Sequence, residues 1–298
     1  SNMSHADIHF LKYNGNTLYC GSDGGVYKSS DDASTWSDMN ATISTLQYQS
    51  ADYDPTDPQK LYGGCQDNNI ESSINSGTQW IQRQTGDGGY TIVDFESPNY
   101  IYSQYVNGSL KRSSDYAHTF SEISPSSSTG GLFYNPYEMS PTDHNIIVYG
   151  QGDVWRTLNA TSASSSSGWD MIASTSTVNG SVSAIGIGAQ SADKIYIGTS
   201  GGKILVTNNG GATWSSVGGS QYVSDFAVDP NDDNICYTAY GGFNASFHVT
   251  KTTDGGITWQ NITSNFPNIA ANTVALRTEA PRMIFVGTDL GVFMSADE

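Results

Sequence analysis

The chain has 298 residues, a net charge of −17 at pH 7, only 14% charged residues, 32 glycines and 18 tyrosines. So acidic a protein repels a phosphate backbone, which excludes nucleic acid as a partner, and no apolar run is long enough for membrane insertion. Many glycines and tyrosines with few charges suit short strands and tight turns better than long amphipathic helices.

In chain order, residues 1–3 (Ser1-Asn2-Met3) read as the remnant of a cleaved expression tag, so the start of the chain is silent about a native leader. His5, Asp7 and His9 then alternate, and on a strand they would project to one side. Ser29 to Trp36 carries the first copy of a turn that recurs to the end: a Ser or Thr, an Asp or Asn two residues later, and a Gly-x-Thr-Trp-like close. Further copies run Ser73 to Trp80, Ser113 to Phe120, Thr157 to Trp169 with the serines Ser164 to Ser167 interposed, Thr207 to Trp214, Thr252 to Trp259, and Ser295-Ala296-Asp297. Anchored on Asp31, Asn75, Asp115, Asn159, Asn209, Asp254 and Asp297, the spacings are 44, 40, 44, 50, 45 and 43 residues. A period of that size identifies stacked supersecondary units.

Within one period, Val223 to Val228 alternates as an inner strand and Asp229-Pro230-Asn231-Asp232 turns the chain. Ile235 to Tyr240 forms a second strand, Phe247 to Lys251 a third, and Trp259 starts a fourth. Four antiparallel strands per period predict an all-β, seven-bladed β-propeller over residues 4–298, its last blade either incomplete or closed by the N-terminus. The turn residues Asp31, Trp36, Asn75, Trp80, Asp115, Asn209, Trp214, Asp254 and Trp259 are read as structural: the carboxylate or amide accepts turn amides and the indole fills the gap to the neighbouring sheet. The three cysteines, Cys20, Cys65 and Cys236, sit in apolar strands without metal-ligand spacing and read as buried thiols. The turn at Asp229-Pro230 also recurs, at Asp54-Pro55, Ser97-Pro98 and Ser140-Pro141, and both recurring turns fall at one end of the blades, so function is expected in the loops of the opposite face.

The motif S/T-x-D-x-G-x-T-W resembles the Asp-box, or BNR, repeat of sialidases, sortilin-type receptors and two-propeller xyloglucanase-type glycosidases. Gly63-Gly64-Cys65-Gln66-Asp67-Asn68, followed by Gly86-Asp87-Gly88-Gly89-Tyr90, is similar to a "GGxQDN … GDGG" signature of large secreted bacterial Asp-box proteins; Asn69 and Cys65 depart from it. That resemblance implies a module that is secreted or at the cell surface, with flanking domains in the native protein. It also implies a possible glycoside hydrolase.

Aligning the blades on the turn places Asp289, Asp23 and Asp67 at equivalent loop positions, with Asn107 next in the series and Asp87 entering on the same face. With His5, Asp7 and His9 they would make an acidic crescent suited to Ca²⁺ or, at the His-Asp-His face, to a transition metal. The plainer reading is that Asp before Gly-Gly simply builds a tight turn. For glycoside hydrolysis, Asp67 and Asp87 are the carboxylate pair to test; Gln66, Asn68, Tyr90, Tyr134 and Tyr137 would bind ligand, with Tyr48 and Tyr222 also near this face. Sialidase chemistry is disfavoured, because Arg112 and Arg156 fall at the wrong end for an arginine triad. The expected function is a module binding a glycan or an extracellular protein, with glycoside hydrolysis as the alternative.

Overall fold

The protein is described by a computed structural model that covers residues 8–40, 47–243, 247–279 and 282–296. Blade 1 holds β1 (Ile8–Asn14), β2 (Thr17–Ser22), β3 (Gly25–Ser29) and β4 (Ser37–Asp38); blade 2 holds β5 (Tyr48–Asp54), β6 (Asp57–Cys65), β7 (Asn69–Ser73) and β8 (Ile81–Gln82). Blade 3 runs through β9 (Gly88–Val93), β10 (Ile101–Tyr105), β11 (Ser109–Ser113) and β12 (Ser121–Glu122), and blade 4 through β13 (Tyr137–Met139), β14 (Ile147–Gly150), β15 (Val154–Thr157) and β16 (Asp170–Ala173). After the one-turn helix α1 (Thr175–Val178) come β17 (Val182–Ile187), β18 (Ile195–Thr199), β19 (Ile204–Thr207) and β20 (Ser215–Val217) of blade 5. Blade 6 is β21 (Val223–Asp229), β22 (Asp232–Tyr240), β23 (Val249–Thr252) and β24 (Gln260–Asn261); blade 7 is β25 (Thr273–Arg277), β26 (Met283–Thr288) and β27 (Gly291–Ser295).

Every sheet is an antiparallel meander in chain order, four-stranded in six blades and three-stranded among the described residues of blade 7. The chain is a seven-bladed β-propeller. From blade 2 onward the inner strands β5, β9, β13, β17, β21 and β25 lie each beside the next. In blade 6 the second strand starts three residues earlier than its apolar run, at Asp232, because Asp229 still pairs with Asp232 across the tight turn. Fourth strands are short, two residues in four of the blades.

The recurring turn is a closed hydrogen-bond unit. Ser113 Oγ donates to Asp115 Oδ1 at 2.7 Å, the Ala117 amide donates back to Ser113 Oγ at 2.9 Å, and the Thr119 amide and hydroxyl donate to the two carboxylate oxygens at 2.8 and 2.7 Å. Asn75 and Asn209 do the same with one oxygen, and Asn209 uses its amide nitrogen to donate to Thr213 Oγ1 at 2.9 Å. The unit is then fastened to the first turn of its own blade: Ser76 to Gln59, Tyr116 to Asn99, Ala160 to Asn145, Gly210 to Asp193 and Gly255 to Asn234, each by a backbone bond of 2.9–3.1 Å. Long cations pin successive blades at this end. Arg112 reaches Ala160 O and Ala163 O, Arg156 reaches Asp193, Lys194 reaches Asn208 and Gly255 O, and Arg282 reaches Asp229.

Four donated hydrogen bonds stabilise the charged form of these carboxylates, which holds Asp115 and Asp254 down at about 2. Because the folded value lies below the ordinary ~3.9, the stabilisation is present above pH ~4 and is lost as pH falls towards about 2. Asp115→Asn with Asp254→Asn is therefore expected to lower the melting temperature at pH 7 and to flatten its decline between pH 4 and 2, so that the two proteins converge towards pH 2. Parallel acid melts check this; equal slopes in the two proteins would remove the assigned role.

The apolar core is shared between blades. One cluster joins Val148, Val154 and Ala173 of blade 4 to Val182, Ile195 and Leu205 of blade 5, with Trp214 packed against it. Others join blades 2 and 3, 3 and 4, 5 and 6, and 6 and 7. The indoles close these seams: Trp169 Nε1 donates to Ile123 O and Trp214 Nε1 to Ile172 O, each at 2.8 Å onto the preceding blade. Blade 1 differs, for all seven residues of β1 are exposed. Cys20, Cys65 and Cys236 are buried thiols outside any disulfide, as their apolar surroundings imply.

Candidate functional site

The loop Gln66-Asp67-Asn68 and the segment Thr85 to Gly89 meet where blades 2 and 3 adjoin. Two backbone approaches fix this. A Cβ on Gly64 would lie 1.9 Å from Gly89 O, and one on Gly88 would lie 2.4 Å from Asn69 O. Only glycine leaves the two chains room to touch. Asp67 and Asn69 take φ of 63° and 53°, a left-handed conformation that Asp and Asn tolerate better than most residues. The Asp67 amide then donates to Asp87 Oδ1 at 3.0 Å, Asn69 Nδ2 donates to Thr85 O at 2.6 Å, and Asn68, itself buried, bridges to Gly86. The glycine-rich signature is thus first a clasp between two blades.

The connection from blade 3 to blade 4 arches over this clasp. The Tyr134 ring covers Gly89, where a Cβ would come within 2.6 Å of it. Its hydroxyl is buried and has no hydrogen-bond partner among the described residues. Burial, with the Asp87 and Asp67 charges behind it, pushes that phenol up to about 12. Phe133 stands edge-on to Tyr134, with centroids 4.9 Å apart, and is 46% exposed. Gln66 is exposed and Asp67 and Asp87 are half-buried, and the two carboxylates act on Tyr134, the ring that Phe133 packs against.

The remaining predicted residues are placed elsewhere. Asp23 Oδ1 lies 2.6 Å from His9 Nε2, and Asp289 Oδ1 accepts from Asn272 Nδ2 at 2.9 Å, so each is tied to the start of its own blade. His5 and Asp7 lie outside the described residues. Among the described residues no three His, Cys, Asp or Glu side chains are grouped to hold a metal ion. Tyr137 was expected at the ligand face; instead its ring is buried and its hydroxyl lies 2.9 Å from both Tyr90 O and Tyr102 O, because this side of the strand packs into the seam between blades 3 and 4. Tyr48 donates to Glu71 at 2.8 Å inside blade 2 and packs tilted against Trp80, with ring centroids 5.1 Å apart. Arg83, at the end of the same blade, donates to Ser72 Oγ at 2.6 Å.

A second group of carboxylates went unanticipated. Asp52 on β5, Glu138 on β13 and Asp225 on β21 face the space between the inner strands. Asp52 Oδ2 accepts the Val93 amide at 2.8 Å, and Asp225 Oδ2 accepts the Val274 amide at 3.0 Å and the Thr273 hydroxyl at 2.6 Å. Each thereby satisfies an edge amide of the next blade. Glu138 is open to the channel, yet the surrounding walls, then the Asp225 and Asp52 charges, push it up to about 8. Tyr90 shares this space; burial, Tyr222, Asp225 and Glu138 raise it to about 12. A lone Glu between the buried Tyr137 and Met139 was the available sequence signal.

No protein-family model and no curated protein sequence matches the chain. Among solved structures it is similar to an ancestral GH74 enzyme, with 13% identity and a TM-score of 0.64 over 96% of this chain and 44% of that one. It is also similar to YCF48 bound to D1 peptide, with 14% identity and a TM-score of 0.60 over 99% and 93% of the two chains. A third likeness is to the extracellular domain of a one-component system from B. thetaiotaomicron, with 15% identity and a TM-score of 0.61 over 98% and 38%. The chain thus spans less than half of the GH74 enzyme and of that sensor chain. At these identities the likeness shows the fold alone.

Proposed function

We propose that this propeller is a carbohydrate-binding module of a secreted or surface protein, and that it takes glycan at the patch formed by Phe133, Tyr134, Gln66, Asp67 and Asp87. The observation that carries the reading is the exposed Phe133 ring packed edge-on against Tyr134, the ring on which the Asp87 and Asp67 charges act. A sugar needs an apolar face to stack on and acceptors for its hydroxyls, and this patch offers both. A GH74 enzyme and an extracellular sensor domain among propellers of the same fold agree with a carbohydrate-related role. The Asp-box identity of the recurring turn belongs to this reading. The reading does not require a cation: Asp23 is engaged by His9, Asp289 by Asn272 and one Asp87 oxygen by the Asp67 amide.

Glycoside hydrolysis by Asp67 and Asp87 is the second reading. Against it, one Asp87 oxygen is already engaged by the Asp67 amide. Calorimetry or an array with plant and microbial polysaccharides separates the two. Phe133→Ala is expected to weaken glycan binding about tenfold, the order of one lost aromatic contact. Reducing sugar released by the unmodified protein and abolished in Asp87→Asn would replace the binding reading with the enzymatic one. Binding that ignores Phe133→Ala, or absent with every glycan, would end the assignment of this patch.

A further inference from the structure

Between blades 3 and 4 lies an open depression of about 460 Å³, walled by Asn107 and Ser109 of blade 3, by Glu122, Ser124 and Ser126 on the way out of that blade, and by Gln151 of blade 4. It adjoins the connection that carries the exposed ring, since the Asn107 amide donates to Phe133 O at 3.0 Å. The serines that interrupt the fourth copy of the recurring turn complete the wall: the Ser126 amide donates to Ser165 O at 2.9 Å, and Ser165 lines the depression too. Among the described residues that line it there is no lysine, arginine, histidine or aromatic ring.

Gln151 lies deepest of these polar side chains, 5% exposed and laid over Gly108, where a Cβ would come within 1.6 Å of Nε2. The Tyr149 hydroxyl gives its one proton to Gly108 O at 2.5 Å, so it accepts from Gln151 Nε2 at 2.6 Å. This turns the amide oxygen away from Tyr149, and Oε1 has no partner among the described residues. A carbonyl oxygen on so buried a side chain needs a donor, and the depression is where one can arrive. On the wall, Glu122 accepts the Ser109 and Ser124 hydroxyls. Their protons are thereby turned to the carboxylate, and their oxygens stay open as acceptors. The lining thus calls for a ligand that brings hydroxyl donors, and its one charged side chain, Glu122, repels an anion.

We infer that the depression is a second sugar subsite, contiguous with Phe133 on one bound glycan, in which Gln151 Oε1 accepts a hydroxyl of the next sugar residue. The inference rests on the glycan reading of the Phe133 patch. The two places differ in what they offer: the open ring presents an apolar face, and the depression presents fixed acceptors. Its volume is within the range of small-ligand sites and far larger than a single water needs. Stacking on a ring tolerates many sugars, whereas a site built to bond a hydroxyl rejects the analogue that lacks it. Selection among glycans is therefore set by Gln151 and Glu122 rather than by Phe133.

The probes are the mono- to tetrasaccharides of β-1,4-linked glucose, mannose and xylose, titrated into the intact protein by calorimetry. With the series that binds, affinity is expected to rise at least about tenfold at the length that first reaches both subsites. Phe133→Ala is expected to weaken every length. Ser126→Trp places an indole in the depression from an exposed position, and Gln151→Met keeps the stem while removing the acceptor. Each is expected to return the longer sugars to the affinity of the short one and to leave that one unchanged. Should Gln151→Met fail to fold, Ser126→Trp still decides. An affinity that falls with Phe133→Ala yet is flat with length, or a rise with length that survives Ser126→Trp, would overturn the subsite and leave the Phe133 patch standing. Binding at no length, or binding indifferent to Phe133→Ala, would overturn the glycan reading and the subsite with it.

Discussion

Gly64→Ala is expected to destabilise the protein by about 3 kcal/mol or more, at the top of the range for overpacking. The added methyl would meet Gly89 O at 1.9 Å, and that oxygen belongs to a backbone that cannot rotate away. Relief requires blades 2 and 3 to separate. The loop carrying Asp67 and the segment carrying Asp87 then part as well, so glycan binding should fall with stability rather than independently of it. Urea unfolding followed by tyrosine and tryptophan fluorescence measures the first effect. Gly201→Ala is the control: nothing lies within 4 Å of its added carbon, and a change within ~0.5 kcal/mol is expected. A Gly64→Ala midpoint equal to that of the unmodified protein would mean that the two backbones are not in contact.

Trp214→Ala is expected to cost about 3 kcal/mol, the lower end for a large aromatic, since the indole is packed against its cluster but only partly buried. Two losses combine. The ring leaves the seam between blades 4 and 5 unfilled, and the 2.8 Å bond to Ile172 O is removed. Trp214→Phe separates them, keeping most of the packing and losing the donor, for about 1 kcal/mol. Chemical denaturation of both variants gives the comparison; a Trp214→Ala loss no larger than that of a surface residue would show that the indole does not close the seam.

The architecture was legible because a single turn repeats it. A hydroxyl, a carboxylate or amide two residues on, and an indole at the close are each required by local hydrogen bonding and by the seam, so the spacing from Asp31 to Asp254 counts blades directly. The site was less legible. Alternation in a strand separates two faces but does not say which one meets the next blade, and so Tyr137 was placed at the ligand face while its neighbour Glu138 was passed over. The paired glycine segments point to Asp67 and Asp87 together, and the Asp67 amide does bond to Asp87, yet what those glycines permit is backbone contact, a tertiary fact with no local signature. Phe133 lies in a connection without periodicity, where an exposed ring and a buried one look alike in the sequence. Only the fold of that connection over Gly89 tells Phe133 from Tyr134.

No blade owns its core: each apolar cluster is divided between two successive sheets. Cohesion therefore resides in the joints, and a blade detached from its neighbours would leave half a core behind. Resistance to local opening should accordingly be a property of position in the series, greatest for blades held on both sides. β1, exposed along its whole length, belongs to the blade that contributes no described residue to any of those clusters. The molecule is in this sense polar: blades 3 to 6 each share core on both sides, while the described residues of blade 1 share none of these clusters.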